Sequence, residues 1–477
     1  MILLNRNKKR MSSQIIDQYA NKLGEDVRTS VHTGSASGTD KRFKVLFDDL
    51  PDANGLRTTA GNVKQHTLDH LDKYLEQAER ALISNGAKVH YAWDSETTCS
   101  QVENILKQAS ARTVTKSKSM VSEEVGLNES LLKKGYDLVE TDLGEFILQL
   151  DGDHPSHVVK PIIHKNRAEI ARTFEKHGLG EYNDEPEIIT RRAREFMRAK
   201  YLAAEATITG ANFISAESGR LCIVTNEGNS RFGLAGARIQ IALVGIEKIV
   251  PRDADLALML NLLGRSATGQ ALTVYTEFIS GPKPVDSVSG PEELHVIFVN
   301  NRRTEVLDSN CREILRCIRC GACMNVCPVY RQASGHAYRS VYPGPLGAVL
   351  SPLLAGAEGF SELADLPKAS SLCGACNEVC PVDIPIPDLL LRLRDKGKRE
   401  KSSNAATDSP PMGAWSWVAK SPSLWRASLR SANMLNLLPY EKIPFGPLGR
   451  WTKDRTLPPW RGGKFRAWVK NREKEAK

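Results

Sequence analysis

The chain has 477 residues, of which 41% are hydrophobic and 25% charged, and its net charge is +9. The length is enough for two or three domains, and the composition excludes a chain that is disordered throughout. No stretch of the sequence reaches the roughly 18 predominantly apolar residues that a membrane-spanning helix needs.

The first predicted element is a polar N-terminal segment, residues 1–40. We expect a helix followed by a linker, because residues 33–39 consist mainly of glycine, serine and threonine. The first residues have neither the order nor the length of a secretory signal peptide. A cytoplasmic protein is therefore expected.

Helical and strand-like patterns alternate through residues 41–304. Residues 63–87 carry leucines at helical spacing, and a second helix is predicted from Pro186. Short β-branched apolar runs predict strands at residues 88–93, 111–115, 136–139, 221–225, 239–245, 272–275 and 294–299. Apolar strands between helices predict an α/β domain whose parallel or mixed sheet has helices on both faces.

A polar loop follows the predicted strand at residues 221–225. In α/β sheets, ligands bind at the carboxyl ends of strands. Glu217, Glu227 and Asn229 are therefore candidates for lining a pocket. A turn with solvated carboxylates explains the same residues equally well. No glycine-rich dinucleotide or nucleotide motif is present in the sequence.

Residues 305–395 are rich in cysteine, and two motifs contain seven of the cysteines. The first has the spacing C-x2-C-x2-C-x3-C-P and consists of Cys317, Cys320, Cys323 and Cys327. The second has the spacing C-x2-C-x3-C-P and consists of Cys373, Cys376 and Cys380. Such spacing predicts 4Fe-4S clusters, whereas zinc prefers four ligands drawn from cysteine pairs.

Each motif should contribute its last cysteine to the other cluster, as in two-cluster ferredoxins. The predicted ligands of cluster 1 are Cys317, Cys320, Cys323 and Cys380. Those of cluster 2 are Cys327, Cys373 and Cys376, one cysteine short of four. Ser370 occupies the position three residues before Cys373. The alternatives are an oxygen ligand such as Ser370, an open iron, a three-iron cluster, or a further cysteine such as Cys311.

Several segments resemble the signatures of one family, in the same order. In the cysteine-rich region they are residues 314–330 (ILRCIRCGACMNVCPVY), 335–338, 342–345 and 372–381. In the α/β region they are residues 117–128, 140–145, 154–157, 216–219, 225–229 and 244–251. The chain is similar, over roughly residues 60–470, to the lactate-utilization protein B family. In that family, too, no cysteine occupies the position of Ser370.

The resemblance implies an α/β domain at residues 41–304 and an all-helical two-cluster ferredoxin domain at residues 305–395. It implies an electron-transfer subunit that carries electrons through two 4Fe-4S clusters while L-lactate is oxidised to pyruvate. The expected partners are the other lactate-utilization subunits and an electron acceptor, either a quinone or a carrier protein. As an alternative, the α/β domain is itself catalytic on a small carboxylate.

Residues 396–477 are predicted to be a linker and a basic C-terminal extension with six of the seven tryptophans. Residues 392–477 contain 20 lysines and arginines against seven acidic residues, which leaves the rest of the chain slightly acidic. We expect the extension to dock on an acidic partner or an anionic membrane surface. An iron–sulfur regulator that binds nucleic acid is the weaker alternative, because the tryptophans have no regular spacing.

Overall fold

The computed structural model describes residues 13–400, 402, 409–431 and 464–475. The chain divides into two compact units, residues 1–403 and residues 404–477. Two of the tryptophans predicted for the C-terminal extension, Trp451 and Trp460, lie outside the described residues. None of the described helices is both long enough and apolar enough to cross a membrane.

The strands of the first unit form two sheets. They are β1 (Lys88–Ala92), β2 (Thr113–Lys116), β3 (Asp137–Glu140), β4 (Ala206–Gly210), β5 (Phe213–Ser215), β6 (Leu221–Thr225), β7 (Ile239–Gly245), β8 (Ile249–Val250), β9 (Tyr275–Ile279) and β10 (Glu293–Val299). The larger sheet has the order β1-β10-β7-β4-β2-β3, and all its pairings are parallel. The smaller sheet has the order β8-β5-β6-β9 and is mixed.

Helices surround these sheets and form the rest of the unit. Up to the end of the larger sheet they are α1 (Ser13–Lys22), α2 (Glu25–Phe43), α3 (Ala53–Asp69), α4 (Leu71–Ser84), α5 (Ser95–Gln108), α6 (Met120–Glu124), α7 (Leu127–Lys133), α8 (Leu143–Asp151), α9 (Arg167–Lys176), α10 (Pro186–Ala203), α11 (Asn229–Gly236) and α12 (Asp253–Ala267). The cysteine-rich region contains α13 (Arg303–Leu307), α14 (Ala322–Val326), α15 (Pro328–Ala333), α16 (Gly344–Leu354), α17 (Gly356–Leu363), α18 (Ala375–Glu378) and α19 (Ile386–Arg399).

The central strand β7 explains why both faces of the larger sheet are covered. All seven of its residues are buried. Ile241 and Leu243 belong to the apolar core that includes α5, α6 and α7, whereas Ala242 and Val244 belong to the core that includes α4. Alternate side chains of a strand point to opposite faces, so a strand that is buried along its whole length needs cover on each. The predicted α/β fold with helices on both faces is confirmed.

The predicted linker at residues 33–39 is wrong, because these residues lie within α2. Ser35 and Gly38 are buried in this helix. A Cβ on Gly38 would lie 3.3 Å from Lys160 Nζ and 3.4 Å from Asn325 Nδ2. The small residues therefore allow α2 to pack closely against the cysteine-rich region, where Asn325 lies in α14, rather than making the segment flexible.

The predicted helix at residues 63–87 is two helices, α3 and α4, with a break at His70, whose φ of −129° is not helical. The strand predicted at residues 272–275 begins only at Tyr275. The second unit contains α20 (Ser409–Lys420), α21 (Pro422–Ser431) and α22 (Lys464–Glu475) among its described residues. Trp415, Trp417 and Trp468 are exposed there.

Candidate metal centre and the adjoining cavity

The first cysteine motif lies on a tight loop that leads into the short helix α14. Between Cys317 and Cys323 the backbone adopts positive φ angles at Arg319 (61°) and Gly321 (73°). A Cβ on Gly321 would lie 2.9 Å from His157 Cε1, so a side chain there would collide with the α/β domain. The loop is thereby held against that domain with its cysteines close together.

The last cysteine of the second motif lies with the first motif. Burial raises the pKa of Cys380 to about 12, and negative charge on Cys320 and Cys317 adds to the rise. Burial and the charges of Cys317 and Cys320 likewise raise the pKa of Cys323 well above its ordinary value. The structure thus brings Cys317, Cys320, Cys323 and Cys380 together.

The remaining three cysteines form a second group. Burial, followed by the charges of Cys327 and Cys373, raises the pKa of Cys376 to about 12. Cys327 and Cys376 are buried, whereas Cys373 is exposed. This group therefore reaches the protein surface. Cys376 also acts electrostatically on Cys323, so the two groups are neighbours.

Ser370 and Cys311 are the residues that the sequence offers as a fourth ligand of the second group. The Oγ atom of Ser370 accepts a hydrogen bond from Leu372 N at 3.1 Å. The buried Cys311 thiol donates to Asn310 Oδ1 at 3.4 Å. Burial raises the pKa of Cys311 to about 11, and the positive charge of Arg392 opposes this rise. Both side chains are thus engaged in local hydrogen bonds.

Arg42 tests whether the first group fits an iron–sulfur cluster. Its Nη2 donates to Val379 O, but its buried Nε and Nη1 have no hydrogen-bond partner among the described residues. The charges of Cys320 and Cys380 act on this guanidinium. The thiolates and sulfides of a cluster would accept hydrogen bonds from these N–H groups. Bound iron would lower the thiol pKa values that burial raises. The residues fit the cluster.

Further donors contact the cysteines of the first group, two of them at sulfur. Arg319 N donates to Cys317 Sγ at 3.3 Å, and Ile384 N donates to Cys380 Sγ at 3.4 Å. Arg57 Nε donates to Cys380 O at 2.9 Å. Hydrogen bonds and positive charge at sulfur favour the more negative, reduced form of an iron–sulfur cluster.

A cavity of about 300 Å³ lies beside this group, at the carboxyl ends of the parallel strands. It is lined by residues that follow β2 (Ser117, Lys118), β4 (Ala211, Asn212) and β7 (Lys248), and by Arg319 and Tyr342 of the cysteine-rich region. Ligands of α/β proteins bind at this edge of the sheet. The cavity is thus placed between the sheet and the loop that carries Cys317.

Two of the three predicted pocket residues line this cavity, namely Glu227 and Asn229. Asn229 Oδ1 accepts from Thr225 Oγ1 at 3.0 Å, and Glu227 Oε2 accepts from Leu143 N at 3.1 Å. Glu217 is not part of the cavity. It is exposed, and its Oε2 accepts from Asp253 N at 2.9 Å, so it caps the start of α12.

Sequence reasoning missed the cationic side chains of the cavity. They are Lys118, Lys160, Lys248 and Arg319, against the two lining carboxylates Asp142 and Glu227. A signal for three of them was present in the sequence. Arg319 lies between two predicted ligands, and Lys118 and Lys248 lie in segments that resemble family signatures. Their convergence needed the fold, because they come from distant parts of the chain.

Three family descriptions match successive parts of the chain. A LUD domain matches residues 75–299, and a 4Fe-4S dicluster domain matches residues 313–384. The description "Lactate utilisation protein B, C-terminal" matches residues 393–474. The dicluster match and the grouped cysteines together support bound iron–sulfur clusters.

Full-length relatives agree with these matches. Lactate utilization protein B of Bacillus cytotoxicus is 40% identical, over 97% of this chain and 99% of the relative. The protein of that name from Bacillus velezensis is 39% identical, over 96% and 97%. An uncharacterized electron transport protein, YkgF, of Escherichia coli K12 is 42% identical, over 91% of each chain.

Proposed function

The chain belongs to the lactate utilization protein B family, and on this premise we propose that it relays electrons from the oxidation of L-lactate to pyruvate through two 4Fe-4S clusters. The observation that carries the proposal is the crossed arrangement of the cysteines. In the proposed arrangement Cys317, Cys320, Cys323 and Cys380 hold cluster 1, and Cys327, Cys373 and Cys376 hold cluster 2.

The spacing of the two groups supports a relay. Cys323 of the first set and Cys376 of the second are close enough to interact electrostatically. When bound, clusters of this type accept and donate single electrons. The exposed Cys373 gives the second set access to a partner, whereas each cysteine of the first set is buried or half-buried. We therefore assign the second set to the surface end of the relay.

Positive charges and a backbone donor of the chain stabilise the reduced form of cluster 1. Arg42 and Arg319 place buried guanidinium groups beside the first set, and the backbone of Ile384 donates to Cys380 Sγ. Each of these favours additional negative charge at the sulfur atoms. No acid–base residue is required for this step, because the proton chemistry of the hydroxy acid occurs at a partner subunit.

The proposed partners are the other lactate-utilization subunits, with a quinone or a carrier protein as the final acceptor. The test is to mix the anaerobically purified chain with those subunits, add L-lactate and follow bleaching of the cluster absorbance together with pyruvate formation. We expect bleaching only when the other subunits are present. Bleaching by L-lactate with the chain alone would instead favour a catalytic α/β domain.

A matched pair of variants sharpens the test. Cys376→Ala removes a proposed ligand of cluster 2 and should abolish electron transfer to the acceptor. Cys99→Ala removes a buried thiol that donates to Val125 O, outside both sets, and should leave transfer unchanged. Equal transfer by both variants would contradict the relay.

A further inference from the structure

Lys248 is a buried cation of the cavity lining. It is only 7% exposed and follows the central strand β7, and it lines the cavity. Among the residues that the structure describes, none accepts a hydrogen bond from it or pairs with it as a carboxylate. The carboxylate of the preceding residue, Glu247, is taken by Arg303 at 2.6 Å and by Arg319 at 3.2 Å.

An arrangement of this kind is costly unless an anion completes it. A buried ammonium group loses its hydration, and the loss is compensated only by charge pairing and hydrogen bonds. The positive charges of Arg319 and Arg303 add to this cost, and the negative charges of Glu247 and Cys317 offset part of it. The space in front of Lys248 is the cavity itself, so a ligand there can supply the missing partner.

The rest of the lining indicates the charge and size of this ligand. Lys118 already pairs with Asp142 at 3.0 Å, and Lys160 Nζ donates to Gly34 O at 2.9 Å. Among the described residues, Lys248 is therefore the cation of the lining that has neither a hydrogen-bond acceptor nor a carboxylate in contact. Asp142 and Glu227 in the same lining would repel a polyanion such as a nucleotide phosphate chain. Hydroxyl and amide groups of the lining suit a small polar molecule.

We propose that the cavity binds a small monocarboxylate, whose carboxylate group pairs with the Lys248 ammonium. The first turn of α11 adds to the attraction, because Asn229 and Ser230 line the cavity and helix N-termini favour anions. The site is at the carboxyl edge of the parallel sheet, where ligands of α/β proteins bind.

The bound carboxylate also acts on cluster 1, and this part rests on the proposed function. Arg319 lines the cavity and donates its backbone N–H to Cys317 Sγ at 3.3 Å. A negative charge placed here disfavours a further negative charge on the cluster, so binding lowers the reduction potential. By linkage, reduction of cluster 1 weakens binding of the carboxylate. The cavity thus couples ligand release to the arrival of an electron.

The binding test is calorimetric titration of the cluster-loaded chain, under anaerobic conditions, with sodium L-lactate and sodium pyruvate. Chloride and inorganic phosphate at equal ionic strength are the anion controls. We expect saturable binding of at least one carboxylate, weakened about tenfold or more by Lys248→Met, because a charge-assisted hydrogen bond is lost. Lys133→Met, which removes an exposed lysine of the same domain, should bind as the wild type does.

Thermal unfolding distinguishes a ligand site from a structural cation. Lys248→Met removes an unpaired buried charge, so without added carboxylate it should unfold at the wild-type temperature or above it. The carboxylate should raise the unfolding temperature of the wild type but not that of Lys248→Met. A destabilised Lys248→Met variant that still binds the carboxylate would overturn the proposal, as would a flat titration of the wild type or preferential binding of phosphate.

An EPR-monitored redox titration tests the coupling. A saturating carboxylate should lower the reduction potential of cluster 1 in the wild type and leave that of Lys248→Met unchanged. Binding with no change in potential would overturn the coupling. The proposed function fails separately, if L-lactate and the partner subunits do not reduce the clusters even though the cavity binds its ligand.

Discussion

At the scale of single residues, two buried cations, Arg42 and Lys248, contribute features of the site that the cysteine pattern does not predict. The spacing of the cysteines is local in sequence, and it predicts cluster chemistry without any knowledge of the fold. Arg42 and Lys248 come from α2 and from the turn after β7, far from the motifs in sequence. Their role depends on burial and on missing partners, which only the folded chain defines.

Arg42 yields a prediction about cluster 1. Arg42→Met removes a positive charge and two donor atoms, Nε and Nη1, that have no partner among the described residues, so the reduction potential of cluster 1 should fall. The loss of one charge-assisted hydrogen bond corresponds to roughly 60–120 mV. Redox titration followed by EPR measures this. Lys41→Met, an exposed neighbour on the same helix, is the control and should not shift the potential.

His157 makes the stability of the fold dependent on pH. Its Nδ1 accepts from Val159 N and Lys160 N at 3.0 and 3.1 Å, and its Nε2 lies 3.2 Å from Asn325 Oδ1. This arrangement needs the neutral ring, and burial lowers the pKa of His157 to about 3. The unfolded chain binds a proton below about pH 6.5, whereas the folded chain does so only near pH 3.

Stability should therefore be full above pH 6.5 and fall as the pH decreases from there toward 3. Between pH 7.5 and 5.5 the loss should be about 1.4 kcal/mol. Chemical unfolding at both pH values, with cluster absorbance monitored throughout, measures this loss. His157→Gln has no imidazole that can bind a proton, so the loss of stability that His157 causes between pH 7.5 and 5.5 should disappear. An unchanged pH dependence in that variant would show that other groups cause it.

At the scale of elements, a buried ionic network joins the α/β domain to the cysteine-rich region. Arg303 donates to Glu124 at 2.7 and 2.9 Å and to Glu247 at 2.6 Å. Tyr342 donates to Glu124 at 2.6 Å, and Arg319 pairs with Glu247 at 3.2 Å. Glu124 lies in α6 and Arg303 in α13, so the network fixes the cluster-bearing loop relative to the sheet.

Removing one acidic member of this network should be costly, because it leaves buried cations unpaired. Glu124→Ala should destabilise the chain by about 3–5 kcal/mol. Glu217→Ala removes an exposed helix cap in the same domain and should cost only about 0.5–1 kcal/mol. Chemical unfolding of both variants measures the difference. Equal losses would show that the network does not stabilise the contact.

The elements also show how far the sequence predicts the fold. The apolar runs that become β6, β7 and β10 are predicted almost to the residue, since such strands are buried on both faces. β5 and β8, with three and two residues, are too short to give a pattern. The small residues at 33–39 suggest a linker, but tight helix packing requires the same residues, and only the neighbours of α2 distinguish the two.

At the scale of the whole molecule, the charge is divided between a slightly acidic body and a basic C-terminal extension. Removing residues 402–477 should leave both clusters bound but weaken electron transfer to the partner. The full chain should lose the same coupling as ionic strength rises, because exposed charges are screened. Iron content and transfer rate at two salt concentrations measure this. Loss of the clusters on truncation would show that the extension is structural instead.

The central claim is that seven cysteines bind two 4Fe-4S clusters, and a count of iron and acid-labile sulfide tests it directly. The anaerobically purified chain should contain about eight irons and about eight sulfides, and its reduced form should give the EPR signals of 4Fe-4S clusters. Ser370→Ala should change the signal of cluster 2 only if serine is its fourth ligand. Zinc in place of iron, with no acid-labile sulfide, would contradict the account.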